Sequence, residues 1–160
     1  MKLILMRHAK SDWAFPEPDH ARTLNARGRR SAKALGDWLR RANHVPDAAH
    51  VSDAVRTRET FEGLDLAETE LHLHEELYHA DPGVMLAVLR RADAETVLMV
   101  GHNPGIAAFA ARLVAKAPEH AEFGRYPTGA TTVMSFEADT WFEVGPEDGH
   151  VVDFQIPREL

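Results

Sequence analysis

Residues 2–6 (Lys-Leu-Ile-Leu-Met) and 96–100 (Thr-Val-Leu-Met-Val) each carry an unbroken apolar run. A run that short, with no polar face to turn to water, fits a strand covered on both sides in a parallel sheet. Covering both sides needs helices above and below, so the intervening chain is expected to supply them. Asn25 reads as the N-cap of a helix over 26–43, whose apolar face is Ala32, Leu35, Trp38 and Leu39. Gly28 in its first turn is explained by close approach of another backbone. Ala48–Val51 reads as a short strand, Val55–Leu64 as a second helix and Leu66–Leu73 as a weakly alternating strand. Pro82 opens a third helix with Val84, Leu86, Val88 and Leu89 toward the core, and a fourth is expected over 105–116 after Pro104. Residues 8–25 read as a loop, and 131–156 as two or three strands with turns at Gly145-Pro146 and Asp148-Gly149. Strands alternating with helices imply a three-layer α/β/α sandwich with a mostly parallel central sheet. The last strands supply an antiparallel edge. No repeat or linker interrupts residues 1–160, which read as one domain.

Composition narrows the function. With 25 acidic and 18 basic residues the formal net charge is −7. That balance argues against a nucleic-acid binder working by bulk charge, although a local basic pocket on an acidic body stays open. The absence of cysteine excludes disulfides, thiolate metal sites and a cysteine nucleophile, and suits a reducing, cytoplasmic setting. No segment reaches the roughly 18 apolar residues that a membrane span requires. Ten histidines make imidazole chemistry worth tracing.

In parallel α/β sheets ligands bind beyond the carboxyl ends of the strands. The first apolar strand ends in Arg7-His8-Ala9-Lys10-Ser11, the later one in Gly101-His102-Asn103-Pro104-Gly105. The strand near Val51 leads through Ser52-Asp53 to Arg56 on the first turn of the second helix. If these ends share one edge, Arg7, Arg56, His8 and His102 converge. Two guanidiniums can clamp a phosphoryl dianion with paired N–H donors. A neutral imidazole beside them can attack phosphorus, a second imidazole can neutralise developing charge, and the helix N-terminus after Gly105 adds backbone donors. Each feature alone is ordinary: strand-end histidines are usually structural and helix-start arginines usually solvated. Their coincidence at equivalent topological places points to an anion site. His72 and His74 share a strand face at a spacing zinc can use, but no third ligand is evident, so no metal site is expected.

The string Met6-Arg7-His8-Ala9-Lys10-Ser11-Asp12-Trp13 resembles the Arg-His signature of the histidine phosphatase superfamily, and in particular its short SixA-like phosphohistidine phosphatase branch. Asp19, Arg22–Arg29, Ser52 with Arg56-Thr57, Leu77–Ala80 and Val100–Gly105 continue the resemblance in order. Where that family has glycine after its first histidine, this chain has Ala9. The resemblance implies a phosphatase in which His8 is the phosphorylated nucleophile, Arg7 and Arg56 bind the phosphoryl group and His102 contacts it from the other side. It implies no metal and no other cofactor. Longer members use a glutamate as proton donor, for which Glu75 has the nearest spacing. His8 should stay neutral, its other ring nitrogen donating to a fixed acceptor. The short chain leaves little room for a lid, so the site should be open and suited to a protein-borne phosphohistidine, with Lys10, His20 and Arg22 on its rim. A small-molecule phosphomonoesterase and a non-catalytic phosphoprotein-binding module are the competing readings. No nucleic-acid or membrane partner is implied.

Overall fold

The computed structural model describes all 160 residues. Its ten regular elements are β1 (Lys2–Arg7), α1 (Ala26–Arg41), β2 (Ala48–Ser52), α2 (Val55–Leu64), β3 (Glu70–His74), α3 (Pro82–Arg90), β4 (Thr96–Gly101), α4 (Gly105–Leu113), β5 (Thr131–Ser135) and β6 (His150–Gln155). The strands form one sheet in the order β3-β2-β4-β1-β5-β6. The first four are mutually parallel, β5 runs antiparallel to β1, and β6 runs antiparallel to β5. This is the expected α/β architecture, mostly parallel with an antiparallel side. No helix is long and apolar enough to cross a membrane.

The two-residue period of a strand splits each apolar run between two cores. Leu3, Leu5, Val97 and Met99 pack with α3 and α4, whereas Ile4, Met6, Leu98 and Val100 pack with α1 and α2. All eight side chains are fully buried. Burying one such side chain is worth roughly 1.5–3 kcal/mol, so these central strands anchor everything placed at their ends.

Local chemistry explains most boundaries. Asn25 Oδ1 accepts from Gly28 N at 2.8 Å and caps α1. Asp81 caps α3 the same way through Val84 N. A Cβ at Gly28 would lie 2.1 Å from the Lys10 carbonyl oxygen, so only glycine allows the strand-end loop to cross the helix there.

Four expectations shift. Helix α1 stops at Arg41 because Asn43 turns left-handed (φ 58°) and His44 N bonds back to Leu39 O. Helix α4 stops at Leu113 because Val114 enters an extended bridge with Gly149. The third strand begins at Glu70 rather than Leu66, since Leu66 and Thr69 close a turn fixed by Thr69 Oγ1 on Pro46 O. Met85, not Val84 or Leu86, is the fully buried residue in the first turns of α3. Residues 131–156 make two strands, and a 3₁₀ turn at Trp141–Glu143 buries Trp141 against Ala94 O.

Candidate active site

Sheet register assembles the site. Arg7 lies opposite Gly101, so the next residues, His8 and His102, leave the sheet side by side. Their ring centroids are 5.3 Å apart. Val51 lies opposite Val100, which brings Ser52 and the start of α2 to the same edge. All three strand ends expected to converge do so. They open into a cavity of about 250 Å³ lined by Arg7, His8, Lys10, Asp19, Arg56, His79 and His102, with Ser11, Trp13, Asn103 and Thr128 completing its wall.

His8 is buried, and its Nδ1 lies 2.7 Å from the Ala9 carbonyl oxygen. A carbonyl only accepts, so Nδ1 carries the proton and Nε2 keeps its lone pair. Burial pushes the His8 pKa down to about 3, and the guanidiniums of Arg56 and Arg7 act in the same direction. The expected neutral tautomer and fixed acceptor are both present, and burial is the larger cause, ahead of the two arginines.

Arg56 is almost fully buried. One terminal nitrogen donates to Asp19 O at 2.7 Å and the other to Asp19 Oδ2 at 3.0 Å. The latter also faces His102 Nδ1 at 3.2 Å. Because guanidinium cannot accept, His102 Nδ1 is the acceptor, and its proton sits on Nε2, which lies 2.8 Å from Ser52 Oγ. Burial, then the neighbouring His8, Arg56 and His79, hold the His102 pKa far below the ordinary imidazole value. His102 is therefore a neutral ring with both nitrogens engaged, and it steers Arg56.

Arg7 donates to Tyr126 O at 3.1 Å, while its Nε is a buried N–H with no acceptor in the protein. Burial and the nearby Arg56 lower its pKa. Tyr126 is held left-handed at φ 51°, a conformation costing about 1–3 kcal/mol for a non-glycine residue. Its fully buried ring anchors it, with the hydroxyl donating to Leu5 O at 2.7 Å. This turns its carbonyl toward the site, where Asn103 Nδ2 binds it as well.

Asp19, Tyr78 and His79 form a network that the sequence did not assign. Asp19 Oδ2 accepts from the Tyr78 hydroxyl, from His79 Nε2 at 3.0 Å and from Arg56. The Tyr78 hydrogen bond leads the causes that hold the Asp19 carboxyl well below the usual carboxylate range. His79 has φ 50° and its ring centroid lies 5.0 Å from that of His102. Asp19 and Leu77–Ala80 were both visible as parts of the family pattern, but the left-handed backbone that turns His79 inward leaves no mark in the sequence.

The other expected residues divide. Lys10 lines the cavity wall. Glu75 does not: it lies in the 3₁₀ turn Glu75–Leu77 and is exposed outside the cavity. His20 pairs with Asp53 at 2.9 Å. Arg22 is buried beneath Trp13, its guanidinium carbon 3.6 Å from the ring centroid. His72 and His74 gain a neighbour in His50, whose Nδ1 lies 2.8 Å from His74 Nε2, but no group of three ligands is arranged for a metal ion.

Residues 3–86 match the histidine phosphatase superfamily (branch 1), and the chain belongs to that superfamily as a histidine-nucleophile phosphatase. An uncharacterized protein of Mycobacterium tuberculosis, Rv1276c, is 33% identical over 160 residues, covering 96% of this chain and all of that protein. Among solved structures, a candidate phosphohistidine phosphatase SixA from Nakamurella multipartitia is 31% identical, with a TM-score of 0.84 over 98% of this chain and 95% of that one. A SixA of the same description from Agrobacterium tumefaciens is 25% identical, with a TM-score of 0.79 over 98% of both chains.

Proposed function

We propose that the protein dephosphorylates a phosphohistidine side chain of a partner protein through a phosphorylated His8. His8 Nε2 attacks phosphorus while Arg7 and Arg56 hold the equatorial oxygens. The P–N bond to the substrate histidine breaks as the new P–N bond forms. Water then attacks phospho-His8 and releases inorganic phosphate. Positioning and electrostatics carry this chemistry. The Arg7 Nε–H without an acceptor supports the clamp, because a buried donor is costly until an anion meets it.

One observation favours phosphohistidine over a phosphate ester. Asp19 is the only carboxylate lining the cavity, and three donors hold it as an anion. It has no proton to give an alkoxide. An imidazole whose second nitrogen is protonated departs as a neutral molecule and needs none. Two of the named relatives are described as candidate phosphohistidine phosphatases, which supports this reading.

The test is a substrate panel with trapping of the enzyme intermediate. A phosphohistidine peptide should exceed the matching phosphoserine peptide in kcat/KM by at least about 10²-fold, the scale of missing general-acid catalysis. Label should appear on the wild-type protein and not on His8→Ala. Equal or faster turnover of phosphoserine or sugar phosphates would establish a small-molecule or ester phosphatase instead. Tight phosphopeptide binding without labelling of His8 would make the protein a binding module.

A further inference from the structure

A second, smaller cavity of about 100 Å³ adjoins the catalytic one, and Lys10 and Thr128 line both. The remaining wall of the smaller cavity holds Arg27 and Ser31 of α1 and Arg158 of the 3₁₀ turn Pro157–Glu159, with apolar backing from Ile156. Three cationic side chains and two hydroxyls face it, and no carboxylate does. Lys10 and Arg27 have no ion-pair partner within the chain, and Arg158 reaches Glu122 only at 3.6 Å. A cleft walled by one sign of charge concentrates ligands of the other.

The start of α1 makes the case independently. Its first five residues are Ala26-Arg27-Gly28-Arg29-Arg30, and its first turn holds no acid. The N-terminal end of a helix is its positive end, where stability favours Asp or Glu and disfavours cations. Arg29 is occupied structurally, donating to Leu24 O at 2.9 Å. Arg27 makes no such contact. Cations set at the positive end of the helix oppose its dipole and cost it stability. Local rules broken in this way mark function.

We propose that this basic cavity is a specificity subsite for a carboxylate, taking an Asp or Glu side chain next to the phosphohistidine of the substrate protein. The inference rests on the phosphohistidine reading for the identity of its ligand. The volume, about three times that of one water in the liquid, admits a carboxylate group with Ser31 and Thr128 as hydroxyl donors. The shared wall at Lys10 and Thr128 makes the two cavities one continuous surface for a short segment of chain.

The experiment compares two phosphohistidine peptides, identical except for Glu or Gln flanking the phosphorylated residue, and p-nitrophenyl phosphate, which has no carboxylate for the smaller cavity. Wild-type protein is compared with the double variant Arg27→Glu/Arg158→Glu. Wild type should prefer the Glu peptide by about tenfold in KM, the sum of two or three exposed ion pairs, and the preference should shrink at high salt. The double variant should lose or invert it, while p-nitrophenyl phosphate turnover stays within about twofold and the melting temperature holds or rises, because Glu suits the start of α1. An unchanged preference in the variant, or none in wild type, overturns the subsite. If wild type hydrolyses p-nitrophenyl phosphate but neither peptide, the phosphohistidine reading falls by itself. The subsite is then decided by a hexaglutamate peptide as inhibitor of p-nitrophenyl phosphate hydrolysis: inhibition lost in the double variant supports it, and equal inhibition removes it.

Discussion

Asp19 grips Arg56 twice, accepting from one terminal nitrogen through its backbone carbonyl at 2.7 Å and from the other through its carboxylate at 3.0 Å. The loop bearing Asp19 and the helix bearing Arg56 are thereby locked in one arrangement. A guanidinium with both ends of one edge tied can turn only as its partner turns, so Arg56 enters the site already oriented.

Replacing Asp19 by Asn removes the charge and keeps the shape. The Asp19→Asn protein should fold and lose about 10- to 10²-fold in kcat/KM, the scale of a displaced positioning group, measured against p-nitrophenyl phosphate. The same variant reports on pH. The Asp19 carboxyl titrates lower folded than unfolded, so it stabilises the fold above the unfolded value near 3.9 and that contribution fades as pH falls through the folded pKa. Urea melts below about pH 4 should show a smaller acid-induced loss of stability in Asp19→Asn than in wild type.

His8 is neutral in the folded protein down to about pH 3 but titrates near 6.5 when unfolded. Between those values the unfolded chain binds the extra proton, so stability falls as pH is lowered through the window. His8→Gln should abolish labelling of the protein and also flatten this decline, by up to about 1.4 kcal/mol per pH unit. Nitrogen-15 NMR of wild type should show the ring as the Nδ1–H tautomer from pH 5 to 8.

Glu75 lies outside the cavity. Glu75→Gln should leave kcat/KM for a phosphohistidine peptide within about twofold; a loss of 10²-fold or more, the range of general-acid catalysis, would restore it as proton donor.

A Cβ at Gly105 would sit 1.9 Å from the Ala80 carbonyl oxygen. Gly105→Ala should therefore cost about 1–3 kcal/mol in denaturant melts, as overpacking does. It should also lower activity, because it pushes the start of α4 away from the loop carrying Tyr78 and His79.

What could be read in the chain is what backbone period and strand order control. The apolar runs dictated buried strands, alternation with helices dictated a parallel sheet, and parallel order dictated that Arg7-His8, Arg56 and His102 meet at one edge. Asn25 and Gly28 announced the start of α1 and the crossing above it. Proton positions and non-local contacts lay outside that reach. No local pattern told which nitrogen of His102 holds a proton: Nδ1 accepts from Arg56 and Nε2 lies against Ser52 Oγ. Glu75 looked nearest to the reaction by spacing, yet a 3₁₀ turn carries it outward while the left-handed His79 faces in. The helix ends at Asn43 and Val114 were set by a left-handed turn and by a bridge to Gly149 far along the chain.

The sequence by itself determined the layers, the edge and the residue types available there, because the apolar period of each segment and the alternation of strands with helices are set by neighbours a few positions away. Only the tertiary structure decided which nitrogen of each histidine holds a proton, which carboxylate faces the cavity and that three cations gather beside it. Those depend on burial and on partners brought together from distant segments, and no local pattern encodes them.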